Sequence, residues 1–333
     1  MSASPRPRPA VPAVSASPRP REAVPAGAAA SGIPVTDPRR LMVVGVLGGG
    51  RVGAVLGAAL HAAGHRVVAA SGASGATRAR IALLLPEAAN LDVPATARAA
   101  ADLLLVAVPD DALAGVVSGL AEAGALRPGQ VVAHTSGAHG TAVLSPAVAV
   151  GAGALALHPA MTFTGTPDDL TRLAGISYGV TAPAGLRPLA ARLVADLGGV
   201  PEWVAETDRP LYHAALAHGA NHLVTLVNEA VDRLRDAGVA QPEKVLGPLL
   251  RAALDNALRL GDAALTGPVS RGDAGTVEKH LDRLASTAPE SLAPYLALAR
   301  RTAVRAIAAG RLRPVDAESL LGVLADRDRE VVG

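Results

Sequence analysis

The sequence predicts an α/β protein, a doubly wound parallel sheet covered by helices, followed by an all-helical domain. Three observations predict it. Apolar runs of strand length alternate with helical periodicity up to about residue 206. A glycine-rich turn joins the first of those runs to the first helix. Beyond residue 207 only helical patterns remain.

The chain has 333 residues, enough for two domains of ordinary size. Residues 1–40 read as a disordered tail rich in Pro, Ala and Arg. The hexamer at 2–7 recurs at 15–20, and nine prolines leave neither helix nor strand a run to grow in. No apolar run there resembles a signal peptide. From residue 41 to 206 strands are expected at 41–47, 65–70, 103–108, 130–134, 154–158, 176–181 and 203–204. Val52, Val55, Leu56, Ala59, Leu60 and Ala63 recur at helical spacing and Gly64 stops them; 111–123 and 185–197 are also helical. The second domain, 207–328, is expected to hold helices at 209–237, 242–264, 273–286, 289–310 and 314–327.

Composition narrows the function classes. Half the chain is apolar, and there is no cysteine, which excludes disulfides, thiolate nucleophiles and Cys-based metal sites and fits a cytoplasmic setting. Three Tyr, one Trp and one Phe leave almost no platform for stacking bases. The formal charge is +2, but six arginines lie in the tail; without the first forty residues the body carries −2. Neither a nucleic-acid groove nor a membrane span is indicated.

The run Gly48-Gly49-Gly50-Arg51-Val52-Gly53 places Gly48, Gly50 and Gly53 in the G-x-G-x-x-G positions between an apolar strand and a periodic helix. The first glycine permits the tight turn, the second lets a pyrophosphate approach, and the third lets helix and strand pack. The helix start at Arg51 and Val52 offers N–H groups and a positive dipole end to phosphates. The domain at 41–206 is therefore read as a Rossmann-like dinucleotide-binding domain. The carboxylate that holds the ribose 2′-OH of NAD is missing after the second strand, where Ala70-Ser71-Gly72-Ala73-Ser74 stands and Arg78 and Arg80 follow. Hydroxyls and guanidinium groups suit a 2′-phosphate, so NADP is the expected cofactor, with NAD possible.

In such a sheet ligands lie off the carboxyl ends of the strands. Val108-Pro109, His134-Thr135-Ser136-Gly137 and His158-Pro159 are expected there, each histidine being either functional or a core residue satisfied by backbone. His61 and His65 flank the end of the first helix and read as surface residues. On 209–237, a rotation of about 100° per residue puts Leu216, Leu223, Val227, Ala230 and Leu234 on one face and His213 at its edge. His218, Asn221, His222, Thr225 and Glu229 form the opposite stripe, which either faces water or carries chemistry. His218 and His222 have the spacing of a zinc pair, but position 219 is Gly and no third ligand suggests itself, so no metal is expected. The run 266–273 either binds an anionic substrate through its hydroxyls and Arg271 or is a turn with an Asp N-cap.

Taken together, Gly48–Gly53, Asp102 through Val108-Pro109-Asp110, His134-Thr135-Ser136-Gly137, His158-Pro159, Tyr212-His213 with Asn221-His222, and Thr266 through Asp273 resemble an oxidoreductase family. That family joins a Rossmann-like domain to a C-terminal helical domain of unknown function. More distantly, the layout is similar to pyrroline-carboxylate reductases, ketopantoate reductases and 3-hydroxyisobutyrate dehydrogenases. The resemblance implies a helical domain of the 6-phosphogluconate dehydrogenase C-terminal-like type, a homodimer formed through it, and a small-molecule substrate. Hydroxyacid enzymes of that group carry a Lys on the first long helix; it falls at His213 here, and the only lysines, Lys244 and Lys279, lie elsewhere.

The function expected is an NAD(P)-dependent oxidoreductase that reduces a small carboxylate-bearing carbonyl or imine. His213 is the expected proton donor, with Asn221 and His222 orienting the substrate and Ser136, Gly137, His158 and Arg271 binding it. Gly48, Gly50, Arg51, Val52, Gly53, Ser71, Arg78, Val108 and Pro109 are expected to hold the cofactor. The alternative is a non-catalytic NADP-binding sensor or assembly protein.

Overall fold

A computed structural model describes residues 40–332, with side chains as far as Arg327. All but the last residue of the tail at 1–40 therefore lies outside the described residues. These fall into two compact units, one ending at Arg209 and one starting at Pro210.

The first unit runs β1 (Val43–Leu47), α1 (Arg51–Ala62), β2 (Arg66–Ser71), α2 (Gly75–Leu84), β3 (Ala89–Asn90), α3 (Val93–Ala99), β4 (Leu103–Val106) and α4 (Asp110–Glu122). It continues with β5 (Val131–His134), α5 (Ser145–Ala149), β6 (Gly153–Pro159), α6 (Asp168–Arg172), β7 (Ser177–Thr181), α7 (Arg187–Asp196) and β8 (Val200–Trp203). The strands form one sheet of eight in the order β3-β2-β1-β4-β5-β6-β7-β8. Alternate residues of the central strands enter two different cores. Val44, Val46, Leu103, Leu105, Val131, Ala133, Leu155 and Leu157 pack with α1, α2 and α7. Leu47, Leu104, Val106, Val132 and Ala154 pack with α3, α4 and α5. Burial on both faces explains why these strands read as continuous apolar runs.

The sheet departs from an all-parallel expectation at one place, because β6 and β7 are antiparallel. The connection between them contains only the five-residue α6. It stays at the edge where β6 ends, so β7 returns in the opposite sense, whereas a parallel return needs a crossover over the sheet face. The expectation for His65 is also corrected. It is 2% exposed, its Nδ1 accepts the N–H of Met42 at 3.1 Å, and its Nε2 meets Asp196 at 3.1 Å. It ties the entry of β1 to α7 rather than facing water.

The second unit is helical: α8 (Arg209–Leu216, starting on the last residue of the first unit), α9 (His222–Asp236), α10 (Pro242–Leu260), α11 (Ala274–Thr287), α12 (Leu292–Ala308) and α13 (Pro314–Val332). Its core comes from the last three helices, through Val277, Leu281, Leu296, Ala299, Ala303, Ala306, Ala317, Leu320 and Leu324. The single helix expected at 209–237 is interrupted by a π-helical turn, Ala217–Asn221, with Gly219 at its centre. One extra residue in a turn shifts the helical phase by about 100°, so the uniform wheel does not hold across it. His213 and Leu216 precede the turn, whereas Leu223, Val227, Ala230 and Leu234 follow it and keep their phase with one another. No helix among the described residues is long and apolar enough to cross a membrane.

Candidate functional site

The glycine loop lies where β1 passes into α1, with β2 on one side of β1 and β4 on the other. Strand order reverses at this point, the position at which doubly wound sheets bind ligands. The glycines differ in what a side chain would meet. Gly48 has φ +83°, and a Cβ there would strike the Ala107 carbonyl. A Cβ on Gly49 would enter the Ile81 side chain, and one on Gly53 would strike the Gly48 carbonyl. A Cβ on Gly50 meets nothing within 4 Å. Gly50 is thus the loop glycine that faces open space, and Gly48 and Gly53 are required by the chain itself.

Electrostatics favour an anion at this end of α1. The first helical bond runs from the N–H of Ala54 to the Gly50 carbonyl at 3.2 Å, so the N–H groups of Arg51, Val52 and Gly53 precede it. Gly50 supplies no side-chain cap and the first turn holds no carboxylate. At α4, by contrast, Asp110 and Asp111 occupy the first turn. A phosphate is attracted to the former and repelled from the latter. This cradle fits the pyrophosphate of a dinucleotide.

Ser71 closes β2 and is 7% exposed. Its Oγ accepts the N–H of Gly48 at 3.1 Å, and its carbonyl accepts that of Gly49 at 2.8 Å. It therefore fixes the loop. Ser74 caps α2, its Oγ accepting the Thr77 N–H at 3.1 Å. Arg78 is exposed on the first turn of α2 and donates to the Ala73 carbonyl. Arg80 donates from Nε to the Gly165 carbonyl at 3.2 Å.

Sequence reading missed this last neighbour. The segment after β6 packs on the start of α1, and a Cβ on Gly165 would lie 3.1 Å from the Arg51 Cα. The segment is shaped by Asp169, 0% exposed, whose carboxylate accepts the N–H of Thr164 at 2.8 Å, that of Gly165 at 2.7 Å and the Thr164 hydroxyl at 3.0 Å. Burial pushes its pKa up, but the bonds from Gly165 and Thr164, with Arg172 nearby, more than offset this and hold it below the ordinary carboxylate value. The Thr-Gly-Thr-Pro-Asp-Asp run signals a turn, not its place over α1.

Val108 and Pro109 follow β4, Ser136 and Gly137 follow β5, and His158 lies at the end of β6. Together with Ser71 after β2 and the glycine loop after β1, they share the carboxyl edge of the parallel strands. His134 is fully buried; its Nε2 lies 2.7 Å from the Gly140 carbonyl and its Nδ1 accepts the Ser136 N–H at 3.1 Å. Those partners require the neutral form with its proton on Nε2. Burial above all lowers its pKa to about 4, the Gly140 carbonyl raising it and Arg209 lowering it further. His134 is thus the backbone-satisfied alternative, and it shapes the turn that holds Ser136, which is itself 6% exposed and whose Oγ accepts the His139 N–H at 3.2 Å.

Arg209 is the other residue that sequence reading missed. It is fully buried, and its guanidinium donates to the Thr181 hydroxyl at 2.8 Å and to the carbonyls of Gly179 at 3.0 Å, Ala156 at 3.2 Å and Ser136 at 3.4 Å. It stitches the antiparallel β6–β7 junction to the Ser136 turn. Nothing in Asp208-Arg209-Pro210 distinguishes it from an exposed helix-start arginine.

In the second unit, His213 is half-buried on α8, while Asn221, ending the π-turn, and His222, opening α9, are exposed. Arg271 is exposed on the turn before α11. There Asp273 caps α11, accepting the Thr276 N–H at 3.0 Å and hydroxyl at 2.8 Å, and the Ser270 hydroxyl donates to the Gly267 carbonyl at 3.1 Å. The turn with an Asp N-cap is therefore present, and Arg271 projects from it.

These features define a class, a dinucleotide-binding α/β unit joined to a helical unit. The chain carries a particular pairing within that class. Residues 28–159 match the family model of the Rossmann-like domain, and residues 176–302 match that of a domain of unknown function, DUF2520. No curated protein matches the chain. Among solved structures, a Bacteroides fragilis protein described as an NADP oxidoreductase is similar with a TM-score of 0.66 and 22% identity, over 79% of this chain and 98% of its own. A reductive aminase from Aspergillus terreus, in complex with NADPH and ethyl-5-oxohexanoate, gives a TM-score of 0.57 at 18% identity, over 80% and 94%. A 1-pyrroline-5-carboxylate reductase from Streptococcus pyogenes gives 0.53 at 17%, over 80% and 98%. The fold is the one in which these reductases are built.

Proposed function

We propose that the protein is an NADP(H)-dependent oxidoreductase that reduces a small carboxylate-bearing carbonyl or imine. The observation that carries this reading is the loop at Gly50, open on one side and backed by an uncapped, carboxylate-free helix start. Gly48, Gly50, Arg51, Val52 and Gly53 hold the pyrophosphate, Ser71 sets the loop, and Val108 and Pro109 flank it. Arg78 takes the 2′-phosphate, exchanging its bond to the Ala73 carbonyl for a charged partner. The relatives that bind NADPH support the cofactor class.

When bound, the reduced cofactor supplies a hydride. The chain's own residues supply the rest. The His213 imidazole gives the proton that completes reduction of oxygen or nitrogen, a transfer that imidazoles perform near neutral pH. In the helical unit Asn221 and His222 orient the substrate and Arg271 offers a cation to an anionic group; in the first unit Ser136, Gly137 and His158 are the residues offered to a carboxylate. The protein acts as a cytoplasmic homodimer joined through its helical unit.

The test starts with binding. NADPH is expected to bind at least tenfold more tightly than NADH, and Arg78→Ala to remove most of that difference, as expected for a charged hydrogen bond of about 1.5–3 kcal/mol. NADH binding more tightly than NADPH would overturn the cofactor assignment. Absorbance of NADPH is then followed against a panel of 2-keto acids and cyclic imines. Binding without consumption across that panel would favour the non-catalytic sensor.

A further inference from the structure

The π-turn Ala217–Asn221 separates α8 from α9, and His218 within it lies beside His222, the first residue of α9. Their Nδ1 atoms are hydrogen-bonded to each other at 3.2 Å, and their rings stand nearly perpendicular at 89°, with centroids 5.3 Å apart. Both side chains are exposed. Two nitrogen ligands, each about 2.0–2.1 Å from one cation, lie about 2.9 Å apart when they subtend a right angle and about 3.4 Å apart at the tetrahedral angle. The observed separation falls between these limits.

We propose that His218 and His222 chelate a divalent late first-row transition ion through their Nδ1 atoms. Imidazole nitrogens suit Zn²⁺, Ni²⁺ and Cu²⁺, whereas Mg²⁺ and Ca²⁺ require oxygen ligands. Among the described residues no group of three or more His, Asp or Glu gathers to form a closed cage. The site therefore has two protein ligands and leaves its remaining positions to water or an anionic ligand, one protein ligand fewer than the three of a catalytic zinc centre. Position 219 is Gly, so the pair lacks the carboxylate that serves as general base in the H-E-x-x-H arrangement. The π-turn is a second pointer, because such turns are rare and concentrate at functional sites. The proposal shares His222 with the reductase reading and leaves its Nε2 to the substrate, and its test uses neither nucleotide nor substrate, so the two can fail separately.

Full-length protein, stripped with a chelator, is titrated calorimetrically with Zn²⁺, Ni²⁺ and Cu²⁺, and the Cu²⁺ form is examined by electron paramagnetic resonance. One ion per chain is expected, Cu²⁺ binding most tightly, with hyperfine structure from two imidazole nitrogens. His218→Asn and His222→Asn are each expected to weaken binding at least tenfold, and His280→Asn to leave it unchanged. Melting curves confirm that each variant is folded, and the two-nitrogen signal of the parent reads the site without any variant. Equal binding by the parent and both variants, or a signal without two imidazole nitrogens, would overturn the proposal. Either result would leave the two rings as a hydrogen-bonded pair.

Discussion

At the residue scale, neighbouring glycines of one motif answer to different forces. Gly48→Ala places a Cβ on a backbone carbonyl at φ +83° and is expected to destabilise the protein by on the order of 1–3 kcal/mol, read as a drop in denaturation midpoint. Gly50→Ala fits its backbone and meets open space, so stability is expected to change by less than about 0.5 kcal/mol while NADPH affinity falls at least tenfold. Equal loss of stability in both variants would contradict this division. His134 gives a pH signature. Its folded pKa of about 4 lies below the ordinary 6.5, so between those values the unfolded chain takes up a proton that the folded chain refuses. Stability contributed by this residue is complete above 6.5 and falls by on the order of 3 kcal/mol as the pH drops to 4. Denaturant titrations across that window are expected to show the fall, and His134→Gln to lack it.

At the element scale, Arg209 joins three strand-linked segments that no short-range pattern connects. Arg209→Met removes the donor shared by Thr181, Gly179, Ala156 and Ser136 and is expected to cost about 3 kcal/mol or more, read by denaturation. The antiparallel β6–β7 pair shows why the sense of a late strand was not legible. The apolar run at 176–181 reports burial, which β7 has in either direction, while direction depends on where the preceding connection travels. The π-turn is a comparable case. Periodicity at 209–237 correctly marks a helix, but a uniform rotation per residue has no means of registering one inserted residue. The consequence falls on His213 and His222, which lie on opposite sides of the insertion and therefore do not keep the angular relation that the wheel assigns them.

At the scale of the whole molecule, the second unit is unevenly packed. Along α9 and α10 only Val231, Pro242 and Leu246 are buried, while Val224, Leu226, Val245, Leu249, Leu254 and Leu258 are 45–80% exposed. An apolar surface of this kind marks an association site. Sedimentation is expected to give twice the chain mass, and Leu254→Glu with Leu258→Glu to yield a monomer; a monomeric parent would refute the homodimer. By itself, the sequence determined seven of the eight strands with α1, α4 and α7 between them, the glycine turn with Gly48 and Gly53 constrained, the missing carboxylate after β2, and the change to helix in the second half, but not the two-residue β3 or the short helices α2, α3, α5 and α6. Each feature so determined is a property of a few consecutive residues, set by sterics and by the period of side-chain burial. Only the tertiary structure decided that Ser71 braces the glycine loop and Asp169 the segment packed on the start of α1, that His134 and His65 are buried and satisfied, and that Arg209 is a core residue. Those roles depend on partners far along the chain, and the desolvation that commits a polar side chain to a partner exists only once the two segments have been packed together.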